Sequence, residues 1–371
     1  MQSYTSRERV LAAMNRQQPD RVPLMCQFSI GSMMQQLKPV PQDFWYDGKV
    51  FADGLIRLRD MFHFDGILVS LHGHNPNWRN DVLQTEIDEQ GNHILYFKDR
   101  KEIHSLTELP LVKYSCPPVK TLTDKIDYIP VSSDLYFKLD PEHLYGIFDY
   151  LYKETKGQYS LHGEITSPFD YLLDFMGYEN ALLALILEPE QCHGLLAHFT
   201  KGITQLALGM CEKPIDAIKL SSPFAGMGFI SPEHYAEYVL PYEREIALAV
   251  RATGKHIYTH TCGHISDRLE LMRDTGISGI ECLDPEPVGN VDLQDAFNRI
   301  GDAMFIKGNI DSVYSLLFAD DEKAEKDIVN ILETGKRGKG FILSTACSIA
   351  PKVSEQRLLM LWQLVERYGW Y

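Results

Sequence analysis

The sequence predicts an α/β protein of the (β/α)8 TIM-barrel class, and three observations predict it. Short β-type runs recur eight times, helical patterns mostly lie between them, and no nucleotide-binding glycine loop follows a strand. Repeated strand–helix alternation implies a parallel sheet, and eight such units imply closure. A doubly wound open sheet is the alternative. Its usual Gly-x-Gly-x-x-Gly signature is missing, since Gly226-Met227-Gly228 lacks the third glycine, and there is no Gly-x-x-x-x-Gly-Lys-Ser/Thr loop.

The chain opens with a helical extension over residues 6–15, with Arg7, Arg9 and Arg16 expected to face outward. Strands are expected at residues 22–30, 65–71, 158–165, 216–222, 256–262, 279–284, 304–309 and 341–347. The last four are the clearest, because each starts near a glycine or a helix end and finishes in polar residues. Helices are expected at 265–273, 292–300 and 324–334, and 355–368 closes the chain. Residues 72–140 break the rhythm. They are rich in Pro, Asp and Asn and contain a hairpin pattern, 84–88 and 93–98 around Gly91-Asn92. This reads as an insertion after the second strand, near the barrel mouth, within a single domain spanning 1–371.

Bulk properties narrow the function. The formal charge is −15, from 51 acidic and 36 basic residues, which opposes nucleic-acid binding. The 44% hydrophobic and 23% charged content is that of a soluble globular protein. No apolar run approaches the ~18–20 residues of a membrane span, and the N-terminus lacks the pattern of a signal peptide. Seven scattered cysteines do not form a disulfide framework. A reducing, cytoplasmic location is expected, with thiols free to act as ligands.

Active sites of such barrels lie at the C-terminal strand ends. Those ends collect His72 and His74, Glu164, Ser221 and Ser222, His260 and Cys262, Asp284, Asn309 and Cys347. His260 and Cys262 are two apart, so they share one side of a strand. With Cys347 they make one imidazole and two thiolates, a donor set suited to zinc with a fourth position open. For any of these residues taken alone, a satisfied loop polar group is the competing reading. Cys282 and His256 read as core residues, and His264 as a group supporting the ligands. Glu164 reads as a displaceable fourth ligand, a catalytic general acid/base, or a cap on the following helix.

The whole chain resembles the uroporphyrinogen decarboxylase superfamily. The resemblance rests on residues 9–23 ending in Asp20-Arg21-Val22-Pro23, Asp216-Ala217-Ile218, Phe229-Ile230-Ser231-Pro232 with Pro241, Gly308-Asn309-Ile310-Asp311, and the closing residues 342–351. It implies a (β/α)8 barrel and two candidate chemistries. Decarboxylase members carry an Arg-Gln-Ala-Gly-Arg-Tyr segment after the first strand. Residues 26–34 here read Cys-Gln-Phe-Ser-Ile-Gly-Ser-Met-Met, with no arginine.

Zinc methyltransferase members, which work with corrinoid proteins or coenzyme M, carry His-x-Cys and a distant Cys. His260, Cys262 and Cys347 match that pattern. The resemblance therefore implies a Zn2+ methyltransferase partnered with a corrinoid (cobalamin), on a partner protein or free, and with a small methyl donor or acceptor. Uroporphyrinogen decarboxylation and a non-catalytic binding protein are the alternatives. Phe28, Ile30, Met33 and Met34, with Phe169 and Phe224, are candidate walls for an uncharged group or ordinary core.

Overall fold

The computed structural model describes residues 4–116, 119–132 and 135–371. Its strands run β1 (Gly66–Val69), β2 (Gln84–Ile87), β3 (His93–Tyr96), β4 (Arg100–His104), β5 (Leu111–Tyr114), β6 (Tyr128–Ser132) and β7 (Leu135–Lys138). There follow β8 (Ser160–Thr166), β9 (Ala217–Ser221), β10 (His256–Thr261), β11 (Gly279–Cys282), β12 (Phe305–Ile310) and β13 (Phe341–Thr345). A seven-stranded sheet takes β1, β8, β9, β10, β11, β12 and β13 in that order, and every neighbouring pair is parallel. Helices such as Pro189–Cys211, Leu240–Ala252, Leu293–Ile300 and Asp321–Arg337 connect successive strands. The architecture is α/β, with a parallel sheet and crossover helices.

The residues expected to form the first strand, 22–30, form isolated bridges instead, Leu24 to Leu343 and Phe28 to Ile349. The segment still bonds to both sheet edges. Met25 N–H donates to Leu343 O (3.0 Å), and Asp65 N–H, just before β1, donates to Leu24 O (2.7 Å). The ladder is interrupted because Pro23 has no N–H and the Asp65 carboxylate takes the Leu24 N–H at 2.9 Å.

Alternation sorts the concave face of the sheet into layers. The first layer is apolar: Met25, Leu68, Ala217, Tyr258, Phe305 and Ile342 pack with Val10, Ala13 and Met14 of helix Ser6–Met14. Two residues further along the strands come Lys219, His260, Lys307 and Ser344. Apolar contact thus closes the N-terminal end, and polar groups occupy the C-terminal half.

Helix Ser6–Met14 starts at Thr5, whose hydroxyl and Glu8 form a reciprocal capping box. Arg9 does not face outward. It is 7% exposed and bonds Asp20 (2.6 Å) and Asp65 (2.8 Å), while Arg21 also holds Asp65 (2.9 Å). This ion network ties the N-terminal segment to the start of β1. The helix expected from residue 265 begins at Leu269, because residues 265–268 form a turn closed by Arg268 N–H to Ile265 O. Between β1 and β8 lie two small antiparallel sheets, β2–β5 and β6–β7, and the β2–β3 pair falls on the expected hairpin. Among the described residues, no helix is long and apolar enough to cross a membrane.

Candidate metal centre

His260 is the penultimate residue of β10, and Cys262 follows the strand by one position. Cys347 lies two residues past β13. Cys262 Sγ is 3.3 Å from His260 Nε2 and 3.7 Å from Cys347 Sγ, and all three donor atoms lie within 4.8 Å of one another. Zinc bonds of about 2.3 Å to sulfur and about 2.0 Å to nitrogen imply tetrahedral edges of about 3.8 Å and about 3.5 Å. The donor set and its spacing therefore fit zinc.

The turn after β10 explains how Cys262 is held. Gly263 takes φ 77°, a conformation that suits glycine, and its N–H donates to Asp284 Oδ2 at 2.7 Å. A Cβ on Gly226 would lie 2.8 Å from Cys262 O, so that neighbour must be glycine for the loops to approach. Positive φ at Cys282 (86°) and Leu283 (60°) ends the regular alternation of β11. Cys282 is buried as expected, but its Sγ also lies 3.2 Å from Asp284 Oδ2, and Cys262, Cys282 and Asp284 form a second close group. Hydrogen bonds from the Cys282 and Cys347 thiols hold the Cys262 thiol down at about 5. The bond to Cys262, and burial after it, push Cys347 up.

Beside the ligands lies a charged cluster set by strand register. Glu164 pairs with Lys219 across β8 and β9, His260 with Glu281 across β10 and β11, and Glu281 with Lys307 across β11 and β12. His260 Nδ1 is 3.0 Å from Glu281 Oε2. Lys307 bonds Glu281 Oε1, and Lys219 lies 3.6 Å from Oε2. Burial pushes the Glu281 carboxyl up, but Lys307, Lys219 and His260 outweigh it and hold it well below the usual range. Lys219 also bonds Gln27 and, at 3.1 Å, Glu164 Oε1. Burial lowers the Lys219 pKa, and the charges of Glu164 and Glu281 raise it by more.

Lys219, Glu281, Lys307 and Gln27 are absent from the residues singled out in the sequence. Their signal was present, because a lone charge inside an apolar strand such as Phe305–Ile310 needs a buried partner.

Glu164 does not cap the next helix; Ser167 does, accepting from Asp170 N–H. With Oε1 on Lys219, its Oε2 is buried and has no partner. Glu164, His72 and Ser221 line one cavity of about 880 Å3, together with Ser348, the residue after Cys347. Ser221 is also the register partner of His260, so the cavity adjoins the three donors. Phe28, Ile30 and Phe224 are wall residues too. Met33, Met34 and Phe169 are buried in the core.

The remaining expected residues lie elsewhere. His74 packs edge-on to Phe137 (4.9 Å) and Ser222 is buried. Asn309 Nδ2 donates to Leu283 O (3.1 Å). His256 is partly exposed at the start of β10, 3.4 Å from Ser278 Oγ. The His264 carbonyl accepts from Met227 N–H (2.9 Å).

A methylcobamide:CoM methyltransferase (MtbA) of Methanosarcina mazei is 22% identical over 375 residues, covering 99% of both chains. The counterpart of Methanosarcina acetivorans is also 22% identical, over 376 residues, with the same coverage. A uroporphyrinogen decarboxylase of Gloeobacter violaceus is 28% identical over 180 residues, 48% of this chain and 49% of the relative. A solved structure described as a methyltransferase from Methanosarcina mazei shares the fold, with TM-score 0.74, 18% identity and 99% coverage of both chains. Residues 113–368 match the uroporphyrinogen decarboxylase (URO-D) family, and with more than half its length so matched, the chain belongs to that family.

Proposed function

We propose that this chain is a zinc-dependent methyltransferase, moving a methyl group between a small molecule and a corrinoid held by a partner protein or free in solution. The observation that carries this reading is the convergence of His260 Nε2, Cys262 Sγ and Cys347 Sγ at separations that suit tetrahedral zinc. Full-length similarity to methylcobamide:CoM methyltransferases supports it. So does the first-segment sequence, residues 26–34, which offers no arginine to hold a polycarboxylate.

His260, Cys262 and Cys347 hold the metal. When bound, zinc supplies Lewis acidity that favours a thiolate nucleophile or a departing alkoxide. The rest is done by the chain. Glu281 orients the His260 ring through Nδ1, and Lys219 and Lys307 keep Glu281 ionised. Lys219 holds one oxygen of Glu164, leaving Oε2 as a buried acceptor for a proton or a hydrogen bond at the cavity wall. The cavity adjoins the metal ligands and takes a small molecule, while the open ends of the strands admit a larger corrinoid. Backbone bonds from the Leu24 segment to both sheet edges support a closed barrel with this segment in the eighth position. Described residues of the insertion, among them Leu109, Ile129 and Val131, form one wall at the mouth. The scattered free cysteines suit a cytoplasmic enzyme.

The test follows cobalamin absorbance with zinc-loaded protein and a suitable corrinoid partner, in both directions. Methyl ethers and methylamines are offered to reduced cobalamin, and thiols and tetrahydrofolate to methylcobalamin. Conversion that requires zinc is expected with one donor or acceptor class. Absence of conversion in both directions would overturn the proposal.

A further inference from the structure

We infer that the cavity beside the metal centre selects an uncharged, largely aromatic molecule bearing a hydrogen-bond donor, read by His72 and Glu164, and rejects anions such as the sulfonate of coenzyme M. This deepens the methyltransferase reading by naming the substrate class, and it rests on that reading. The walls are mostly apolar, and Phe28, Tyr171, Tyr178, Phe224 and Phe229 give them aromatic surface beside aliphatic residues such as Ile30, Leu109 and Ile129. Among the described residues, none of the lining side chains is a lysine or arginine, while Glu108, Glu164 and Asp174 are carboxylates, the last two paired with Lys219 and Lys120 behind the wall, and burial raises the Asp170 carboxyl to about 8. A bound sulfonate would face like charge with no cation on the walls to pair with.

Among the described residues, three buried polar atoms at the wall have no partner: His72 Nε2, Glu164 Oε2 and Ser70 Oγ. The first two have fixed roles. His72 Nδ1 is 3.2 Å from Leu144 O, and a carbonyl can only accept, so Nδ1 carries the proton and Nε2 offers a lone pair. Burial also lowers this imidazole to about 4, keeping it neutral. Glu164 Oε1 pairs with the Lys219 ammonium at 3.1 Å, which leaves Oε2 as an acceptor as well. The Ser70 hydroxyl, also unpartnered and on the wall, can turn to either role. An acceptor left empty in a buried site costs free energy that a ligand O–H or N–H would recover. A ligand with neither would leave both atoms desolvated.

Calorimetric titration of the zinc-loaded chain with three probes of one shape tests this. They are 4-methoxyphenol, 1,4-dimethoxybenzene and 4-methoxybenzenesulfonate. The phenol is expected to bind about tenfold more tightly than the diether, the worth of one hydrogen bond to a buried acceptor, and the sulfonate not measurably. His72→Asn keeps an amide donor for Leu144 O but removes the second acceptor. It should reduce the preference for the phenol, Glu164 Oε2 remaining as the other acceptor, and His72→Gln, which reaches further, should restore part of it. Equal binding of phenol and diether, tighter binding of the sulfonate, or no binding of any probe would overturn the inference, and the wild-type series alone decides this if a variant does not fold. The titration needs neither corrinoid nor methyl transfer. Ordered binding without any methyl transfer would therefore sink the methyltransferase reading, and methyl transfer with the wrong binding order would sink only this one.

Discussion

His260 and Glu281 face each other in register across β10 and β11, with His260 Nδ1 3.0 Å from Glu281 Oε2. The carboxylate is ionised between Lys219 and Lys307, so Nδ1 carries the proton and donates. That leaves Nε2 directed to Cys262 Sγ. A backbone pairing thereby fixes the tautomer and tilt of a proposed metal ligand.

Glu281→Gln tests this relationship. An amide cannot match the carboxylate as acceptor for His260, and zinc affinity is expected to fall about 10–100-fold, read by competition with a chromophoric chelator. The same change leaves the buried Lys307 ammonium without its carboxylate, while Lys219 keeps Glu164. Breaking such a pairing costs about 3–5 kcal/mol, so denaturant melts should show a clear loss of stability. Unchanged zinc affinity would remove Glu281 from any supporting role.

The proposed thiol ligands should behave differently because they lie past the strand ends. Cys262→Ser and Cys347→Ser should each sharply reduce zinc content, measured by elemental analysis, with little change in melting temperature. The double variant should retain none. Full zinc occupancy in it would mean that these sulfurs do not hold the metal.

Much of this was legible in the sequence. Seven of the eight expected strands form, because runs such as 256–262 and 341–347 combine β-branched or aromatic residues with polar ends. Residues 22–30 misled, since the pattern cannot show that the Asp65 carboxylate would claim the Leu24 amide. Arg9 was expected outside because a charge beside a helix usually is; its partners Asp20 and Asp65 become neighbours only when the chain folds. The site divides in the same way. His-x-Cys is a local pattern and could be read directly. The cluster of Glu164, Lys219, Glu281 and Lys307 depends on the register of four different strands, which no local pattern contains. The second role of Cys282 escaped for a backbone reason, the positive φ at the end of β11.

Glycines 226 and 289 press on the Cys262 turn from two directions. A Cβ on Gly289 would sit 2.6 Å from Gly263 O and 2.3 Å from Asp284 O, and one on Gly226 would sit 2.8 Å from Cys262 O. All three neighbours are backbone, which cannot swing aside as a flexible side chain does. Gly226→Ala and Gly289→Ala should therefore displace the Cys262 loop and weaken zinc binding at least about tenfold, on the scale of lost ligand support. Circular dichroism should stay close to wild type. Normal zinc affinity in both would show that the loop is not held by these contacts.

Acid stability offers a test far from the metal. Burial lowers His74 and His162 to about 3 and His72 to about 4. In the unfolded chain each titrates near 6.5. Below that value the unfolded state takes up protons that the folded state refuses, so stability is complete above about 6.5 and declines as the pH falls toward the folded values. Each histidine contributes a slope of about 1.4 kcal/mol per pH unit through that window. His74 is the informative one, because neither ring nitrogen has a partner among the described residues and the ring packs against Phe51 and Phe137. His74→Phe keeps those ring contacts and removes the titration. It should flatten the decline by about 1.4 kcal/mol per pH unit between about pH 6.5 and about pH 3. It should also stabilise the protein modestly at neutral pH, since two desolvated nitrogens are gone. Urea melts at pH 7, 6, 5 and 4 would read both effects, and a slope identical to wild type would mean that His74 is protonated in the folded state.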